Sequence, residues 1–194
     1  MAQLLFFDQG HRYELDGVEV PSVSTILRFL TREIYSEVRQ ADLDRAAERG
    51  SRVHKALELL DKLGEVDADA ETEPYIRAYI KFRQEHACDW TGIEKPVVNE
   101  QLRYAGTADR IGTVDGQPTI IDFKCQSSIH KPLVKAQLNA YLLCMDKPHQ
   151  LACLQLLPTA KYRYYPVAVD PRQFLACLEL HETLKRKSAK GRIE

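Results

Sequence analysis

The stretch that decides the fold is GTADRIGTVDGQPTIIDFK, residues 106–124. Two apolar segments flank an Asp115-Gly116 turn in it, and this pattern predicts a β-hairpin. Asp109 lies in the first segment, and Asp122 and Lys124 lie at the end of the second. Side chains two positions apart point to the same face of a strand, so Asp122 and Lys124 are expected to lie side by side.

Two carboxylates and a lysine at the ends of adjacent strands suit Mg²⁺-dependent cleavage of a phosphodiester. Divalent cations neutralise the phosphate and lower the pKa of a bound water, and Mg²⁺ prefers hard oxygen ligands. Asp109 and Asp122 would supply carboxylates, and the Phe123 carbonyl between Asp122 and Lys124 could add an oxygen. Lys124 would position the attacking water or contact the scissile phosphate.

The order of the remaining elements predicts an α/β or α+β core with a mixed central sheet flanked by helices. Strands are expected at 95–104, 150–157 and 162–169, and a hairpin at 4–20. Helices are expected at 35–63, with an interruption at Gly50, and also at 73–86, at 131–145 and at the C-terminal end.

Composition places the chain among ordinary globular proteins. It has 194 residues, of which 44% are hydrophobic and 28% are charged. We expect one domain over 1–194, divided into an N-terminal hairpin and short helix (1–34), a core (35–185) and a basic tail (186–194). The net charge of −1 neither favours nor excludes a nucleic-acid partner, because local patches set the field that a phosphate backbone meets.

The five cysteines, an odd number without a C-x-x-C pair, argue against a structural zinc or a disulfide framework. Reduced thiols and a cytoplasmic location are expected. The N-terminal residues lack the pattern of a signal peptide, and we expect no membrane association. There is no GxxxxGK[ST] pattern, so no nucleotide cofactor is expected.

The motifs together resemble the PD-(D/E)XK nuclease superfamily, in its RecB-type and phage exonuclease-like branch. The matching parts are Asp109, the Asp122-Phe123-Lys124 triplet, a Q-x-x-x-Y segment and a G-x-x-x-H segment that ends at His54. They follow one another in family order over residues 49–141. The resemblance implies a restriction-endonuclease-like core. Some RecB-like members hold an iron–sulfur cluster, but the cysteine spacing here does not match theirs, so none is expected.

The resemblance also implies roles for individual residues. The catalytic residues would be Asp109, Asp122 and Lys124, and Mg²⁺ or Mn²⁺ would be bound by His54, Asp109, Asp122 and the Phe123 carbonyl. Gln137 and Tyr141, one helical turn apart, would line the site and contact the DNA backbone or the lysine, or else only pack the helix against the sheet. Glu100 is a weaker candidate for a metal or water contact.

Three further charged residues near the proposed ligands leave two interpretations open. Arg52 and Arg110 would bind phosphates of the substrate, or would be solvated surface charges. Glu58 lies four residues after His54 and is a weak candidate for the site, but pairing with Lys55 or Lys62 is the favoured interpretation.

The activity implied by the resemblance is that of a metal-dependent DNA exonuclease of phage or prophage type. It would process double-strand ends for recombination or repair, with a single-strand annealing recombinase as partner and a ring of subunits as a possible oligomer. The alternatives are a structure-specific or single-strand DNA endonuclease, and a catalytically silent DNA-binding member of the same fold.

Overall fold

The N-terminal and central parts of the chain each form a β-sheet, and helices pack around them. The computed structural model describes residues 3–7, 11–66 and 68–190, so residues 191–194 of the expected basic tail lie outside the described residues. The strands of the described part are β1 (Leu4–Phe7), β2 (Arg12–Leu15), β3 (Val18–Val20), β4 (Cys88–Asn99), β5 (Tyr104–Val114), β6 (Gln117–Lys124), β7 (Gln150–Leu156) and β8 (Tyr162–Val167). Its helices are α1 (Val23–Ile26), α2 (Arg28–Ile34), α3 (Gln40–Leu63), α4 (Glu73–Glu85), α5 (Lys131–Leu142) and α6 (Arg172–Lys190).

The central sheet is mixed and has the order β4-β5-β6-β7-β8. Neighbouring strands are antiparallel except β6 and β7, which are parallel and are connected through α5. The predicted hairpin is confirmed as β5 and β6. Asp115 and Gly116 both have positive φ, 50° and 78°, as a two-residue type I′ turn requires.

Apolar side chains from both faces of the sheet form two core clusters. On one face α3 and α4 bury Leu57, Tyr79 and Phe82 against β6 and β7. On the other face α5 and α6 bury Leu138 and Phe174. Each such side chain contributes about 1.5–3 kcal/mol when fully buried, so this packing fixes the helices relative to the strand ends.

Helix α3 is continuous through Gly50, so the interruption expected there is wrong. A glycine inside a helix costs only about 1 kcal/mol relative to alanine, and the burial of Val53 and Leu57 in the next turns outweighs that cost. The helix ends at Gly64, whose φ of 73° gives a left-handed cap. His54 therefore lies in mid-helix, and Asp61 follows it by two turns on the same face.

The antiparallel sheet of β1, β2 and β3 packs beside β5. Ala105 N–H donates to the Pro21 carbonyl at 3.1 Å, and the Tyr13 and Thr107 hydroxyls share a hydrogen bond of 2.7 Å. Because Thr107 lies two residues before Asp109, this contact brings the N-terminal sheet to the edge of the candidate site.

The expected restriction-endonuclease-like core is confirmed in these features. A mixed five-stranded sheet has helices on both faces, and a small N-terminal sheet precedes it. Among the helices of the described ranges, none combines the length and the apolar character that crossing a membrane would require.

Candidate functional site

Three side chains from three elements meet beside the end of the hairpin. They are His54 from α3, Glu94 from β4 and Asp109 from β5. His54 Nδ1 lies 3.5 Å from Glu94 Oε1 and 3.6 Å from Asp109 Oδ1. One ligand atom from each of the three residues lies within 4.8 Å of the other two. An imidazole and two carboxylates at this spacing can bind a single cation.

Asp109 is held in place by the next strand. Its side chain is buried, and its Oδ2 accepts a hydrogen bond of 2.6 Å from the Phe123 amide. The other oxygen, Oδ1, is the one that faces His54. The hairpin thus fixes Asp109 beside Asp122, the residue that precedes Phe123.

Glu94 reaches the cluster through an irregular piece of backbone. Its φ is 45°, in the left-handed region that non-glycine residues seldom adopt. Its neighbours Ile93 and Lys95 pair with Arg110 and Ala108, which flank Asp109 in β5. Such a conformation costs about 1–3 kcal/mol and persists only where surrounding contacts enforce it.

Asp122 and Lys124 lie on one face of β6, as predicted. Lys124 Nζ is 2.6 Å from Asp122 Oδ2 and donates to Gln137 Oε1 at 3.1 Å. Gln137 Nε2 donates in turn to the Tyr141 hydroxyl at 3.0 Å. The structure therefore connects the D-x-K strand to the Q-x-x-x-Y helix by direct hydrogen bonds.

The glycine of the G-T-A-D segment makes room for this helix. A Cβ on Gly106 would lie 2.8 Å from Tyr141 Cε1 and 3.0 Å from Val23 Cγ2. Only a residue without a side chain lets α5 approach β5 this closely. The packing explains why glycine stands three residues before Asp109.

The carboxylates of Glu94, Asp109 and Asp122 lie close to one another, and the pKa values reflect this. Burial lowers the pKa of His54, but Asp109 and Glu94 outweigh burial and raise it to about 9. Burial raises the pKa of Asp109, and Glu94 adds to that effect. Burial and Asp109 raise the pKa of Asp122 to about 6, against the effect of Lys124. A divalent cation would relieve this repulsion.

Burial also works against the charge on Lys124, but Asp122 and Asp109 outweigh it and raise its pKa to about 12. The lysine is therefore a cation across the neutral pH range. Asp122 Oδ2 is buried beside this ammonium, and among the described residues no donor other than Lys124 reaches it. A buried carboxylate oxygen with spare acceptor capacity is what an additional cation ligand requires. The side chains present therefore fit Mg²⁺ or Mn²⁺.

A cleft of about 1220 Å³ opens over these residues. His54, Glu94, Phe123 and Lys124 line it, so the cluster and the lysine are accessible from outside. Further lining residues come from α2 and α3 and include the basic Arg28, Arg32 and Lys55. The cleft is large enough for several nucleotide-sized groups.

Arg110 does not contact solvent, so the expectation that it binds phosphates is wrong. Its side chain is 0% exposed and pairs with Asp61, with Nε 2.7 Å from Oδ2. Its guanidinium lies over the Phe123 ring, 4.9 Å from the centroid. A fully buried guanidinium cannot reach a DNA backbone, and the alternative of a solvated surface charge is excluded as well.

The other weak candidates lie outside the cluster. Arg52 is partly exposed and pairs with Asp69 and Glu71. Glu58 pairs with Lys55 at 3.0 Å and with Lys62 at 2.6 Å, which is the favoured interpretation of this residue, and it lines the cleft.

Glu100 is exposed in the turn after β4, because the strand ends at Asn99 rather than at Tyr104. The acidic residue that β4 contributes to the cluster is Glu94, which no motif in the sequence indicated. The expected strand began at Lys95, whereas β4 begins at Cys88. Gly92 and the polar residues around it interrupt the alternation that is typical of a strand, so the sequence pattern did not extend β4 back to Cys88.

Comparisons with known proteins found similar solved structures but no relative by sequence. No family model matches the sequence, and no curated protein matches it either. An alkaline exonuclease from Laribacter hongkongensis is 18% identical, with 87% of this chain and 93% of that chain covered and a TM-score of 0.42. The same exonuclease in complex with dAMP is 18% identical, with coverages of 88% and 94% and a TM-score of 0.40.

A phage-related exonuclease from Haemophilus somnus is 13% identical, with 78% of this chain and 90% of that chain covered and a TM-score of 0.41. Identities and scores this low carry no inference about activity. The order of the strands defines the class of fold. The hydrogen bonds described above show that the D-x-K and Q-x-x-x-Y motifs lie side by side. The mixed sheet and the contacts among the motif residues agree with the resemblance to PD-(D/E)XK nucleases seen in the sequence.

Proposed function

We propose that this protein is a Mg²⁺- or Mn²⁺-dependent deoxyribonuclease. The observation that carries the proposal is the His54–Glu94–Asp109 cluster, which lies beside Lys124 at an open cleft. Catalytic roles for Asp109, Asp122 and Lys124 are part of the proposal. So are metal binding by His54 and the Phe123 carbonyl, and substrate contacts by Gln137 and Tyr141.

The side chains would share the chemistry as follows. A bound divalent cation supplies charge neutralisation at the phosphate and a lower pKa for a coordinated water. One carboxylate oxygen of Asp109 accepts a hydrogen bond from the Phe123 amide, and the other faces His54. Lys124 holds its proton and presents a fixed positive charge to the scissile phosphate or to the attacking water.

We further propose that the substrate is DNA with a double-strand end, cleaved exonucleolytically. The motif resemblance supports this, and the basic Arg28 and Arg32 along the cleft are consistent with a polyanionic substrate. The single-strand annealing partner and the ring of subunits stay predictions from the resemblance.

The test is a cleavage assay with end-labelled linear duplex, closed circular duplex and single-stranded DNA. Each substrate is incubated with Mg²⁺, with Mn²⁺ and with a chelator. Mononucleotide release from linear duplex alone is the expected result. Nicking of closed circles would replace the exonuclease by an endonuclease, and no cleavage of any substrate with either metal would overturn the nuclease proposal.

Asp109→Asn provides the variant for the site, and Asp170→Asn is the matched control. Asp170 also forms an ion pair, with Oδ2 2.7 Å from Lys135 Nζ, but it lies outside the metal cluster. Cleavage should disappear in the first variant and persist in the second. Equal activity in both would contradict the assignment of Asp109.

A further inference from the structure

A buried ion pair lies directly behind the candidate metal cluster. Asp61 and Arg110 have side chains that are 1% and 0% exposed, and Arg110 Nε lies 2.7 Å from Asp61 Oδ2. Arg110 Nη1 then donates to the Asp109 carbonyl at 2.6 Å and to Glu94 Oε1 at 3.3 Å. One guanidinium thus joins α3, β5 and the acidic side chain from β4.

Asp61 is itself held from several directions. The Tyr79 hydroxyl donates to its Oδ2 at 2.5 Å, and Arg83 pairs with its other oxygen. Trp90 Nε1 donates to the same Tyr79 hydroxyl at 3.0 Å. The carboxylate that orients Arg110 is therefore fixed by side chains from α4 and β4, and such networks rigidify the groups within them.

A buried ion pair is weak evidence for stabilisation, because desolvating two charges offsets most of their attraction. Apolar side chains of similar size in place of the ion pair would fill the space between α3 and the sheet equally well. What the pair adds is a directed donor aimed at Glu94. Glu94 is also the residue with a φ of 45°, a conformation that has to be enforced by its surroundings.

We propose that Asp61 and Arg110 are a positioning pair that holds Glu94 and the Asp109 backbone in the arrangement needed to bind a divalent cation. The proposal rests on the proposed function of the same site. Arg110 touches neither substrate nor cation and acts through Glu94 and the Asp109 backbone. Its planar fork reaches Asp61 and Glu94 together, which a single lysine ammonium cannot do.

The test measures Mn²⁺ binding by isothermal titration calorimetry and by the electron paramagnetic resonance signal of free Mn²⁺. The variants are Arg110→Lys and Asp61→Asn, which keep volume nearly constant, and Asp170→Asn is the control. Outer-shell residues of metal sites typically contribute about 10- to 100-fold in affinity. We expect losses of that size for Arg110→Lys and Asp61→Asn and none for Asp170→Asn.

Thermal unfolding of each variant separates positioning from structural support. Wild-type Mn²⁺ affinity in Arg110→Lys and Asp61→Asn, whatever their melting temperature, would overturn the proposal. A second measurement combines Arg110→Lys with Glu94→Gln. Because Arg110 acts in part through Glu94, the change to lysine should weaken Mn²⁺ binding less in the Glu94→Gln background than in the wild-type background. Fully additive losses would overturn it.

These results are distinguishable from those that concern the nuclease activity. Weaker Mn²⁺ binding in the two variants supports the positioning pair even if no DNA substrate is cleaved. Conversely, a wild-type protein that cleaves DNA, with variants that bind Mn²⁺ as tightly as it does, leaves the nuclease intact and removes the positioning pair.

Discussion

Lys124 at the end of β6 donates a hydrogen bond to Gln137 on α5, with Nζ 3.1 Å from Oε1. The same ammonium lies 2.6 Å from Asp122 Oδ2. A flexible four-carbon side chain is thus held between a strand and a helix, and Gln137 is itself held by its donation to Tyr141. The helix that follows the hairpin therefore orients the proposed catalytic lysine.

Lys124→Met should abolish most cleavage while the protein stays folded. The change keeps the length of the side chain and removes the charge that would stabilise the transition state, which is typically worth about 10²–10³-fold in rate. Single-turnover cleavage of linear duplex DNA at saturating Mn²⁺ measures the loss, and circular dichroism checks the fold.

Lys135→Met, on α5, is the matched control for Lys124→Met. Lys135 also pairs with an aspartate, Asp170, at 2.7 Å, but it lies outside the candidate site. Its cleavage rate should stay near that of the wild type. Comparable losses in the two variants would mean that removing any lysine–aspartate pair damages the enzyme, and would contradict a specific role for Lys124.

Gln137→Leu should slow cleavage through the lysine that Gln137 orients. A misplaced catalytic group costs about 10²-fold, so a loss near that size is expected in kcat with little change in Mn²⁺ affinity. Tyr141→Phe leaves the Gln137–Lys124 hydrogen bond in place and should have a smaller effect. A larger loss in Tyr141→Phe than in Gln137→Leu would show that the hydroxyl acts in another way.

The hairpin and the contacts around it were predictable from sequence because each depends on local rules. An Asp-Gly pair between apolar segments specifies a two-residue turn, and the period of two places Asp122 beside Lys124. Helical spacing put Gln137 and Tyr141 on one face, where they are hydrogen-bonded to each other.

Glu94 and Arg110 were not predictable, because their positions depend on long-range packing. Glu94 itself has a left-handed backbone conformation and lies in an irregular strand. No periodic sequence pattern encodes that conformation. Arg110 looks like a surface charge in sequence, since arginine is seldom fully buried. Its partner Asp61 lies 49 positions earlier, and only the packing of α3 on the sheet brings the two together.

Gly106→Ala should destabilise the fold by about 1–3 kcal/mol, the typical cost of overpacking a core. The new methyl group would lie 2.8 Å from Tyr141 Cε1, so α5 would have to move away from β5. Urea unfolding followed by circular dichroism measures the free energy of unfolding. Cleavage should also fall, because the same shift would carry Gln137 away from Lys124.

Gly50→Ala is the control substitution, and it should change the free energy of unfolding in the opposite direction. A Cβ on Gly50 meets no atom within 4 Å, and the residue lies inside α3. The free energy of unfolding should rise by about 0.5–1 kcal/mol, because alanine loses less backbone entropy in a helix. Destabilisation at Gly50 equal to that at Gly106 would contradict the packing argument.

The thiols of Cys88, Cys125, Cys144 and Cys153 should be unreactive at neutral pH. Burial raises the pKa of Cys88 to about 11 and, as the leading cause, those of Cys125, Cys144 and Cys153 to about 12. At pH 8 only about one Cys88 thiol in a thousand would be a thiolate, which is the reactive form. Iodoacetamide should therefore modify the native protein slowly and the guanidinium-unfolded protein quickly, as intact mass shows. Fast alkylation of more than one thiol in the native chain would contradict these pKa shifts.

Mn²⁺ should stabilise the wild-type protein by mass action, because the cluster of His54, Glu94 and Asp109 exists only in the folded chain. At a free concentration 100 times the dissociation constant the gain is about 2.7 kcal/mol, visible as a higher melting temperature that a chelator reverses. His54→Ala removes one of the three ligands and should reduce the shift at the same Mn²⁺ concentration. Without metal the variant should unfold at a lower temperature than the wild type, because removing the imidazole leaves the buried Asp109 facing Glu94 without its cationic partner, so each Mn²⁺ shift is measured from the variant's own metal-free melting temperature. An undiminished Mn²⁺ shift in His54→Ala would exclude the imidazole from the site and leave the carboxylates alone to bind the cation.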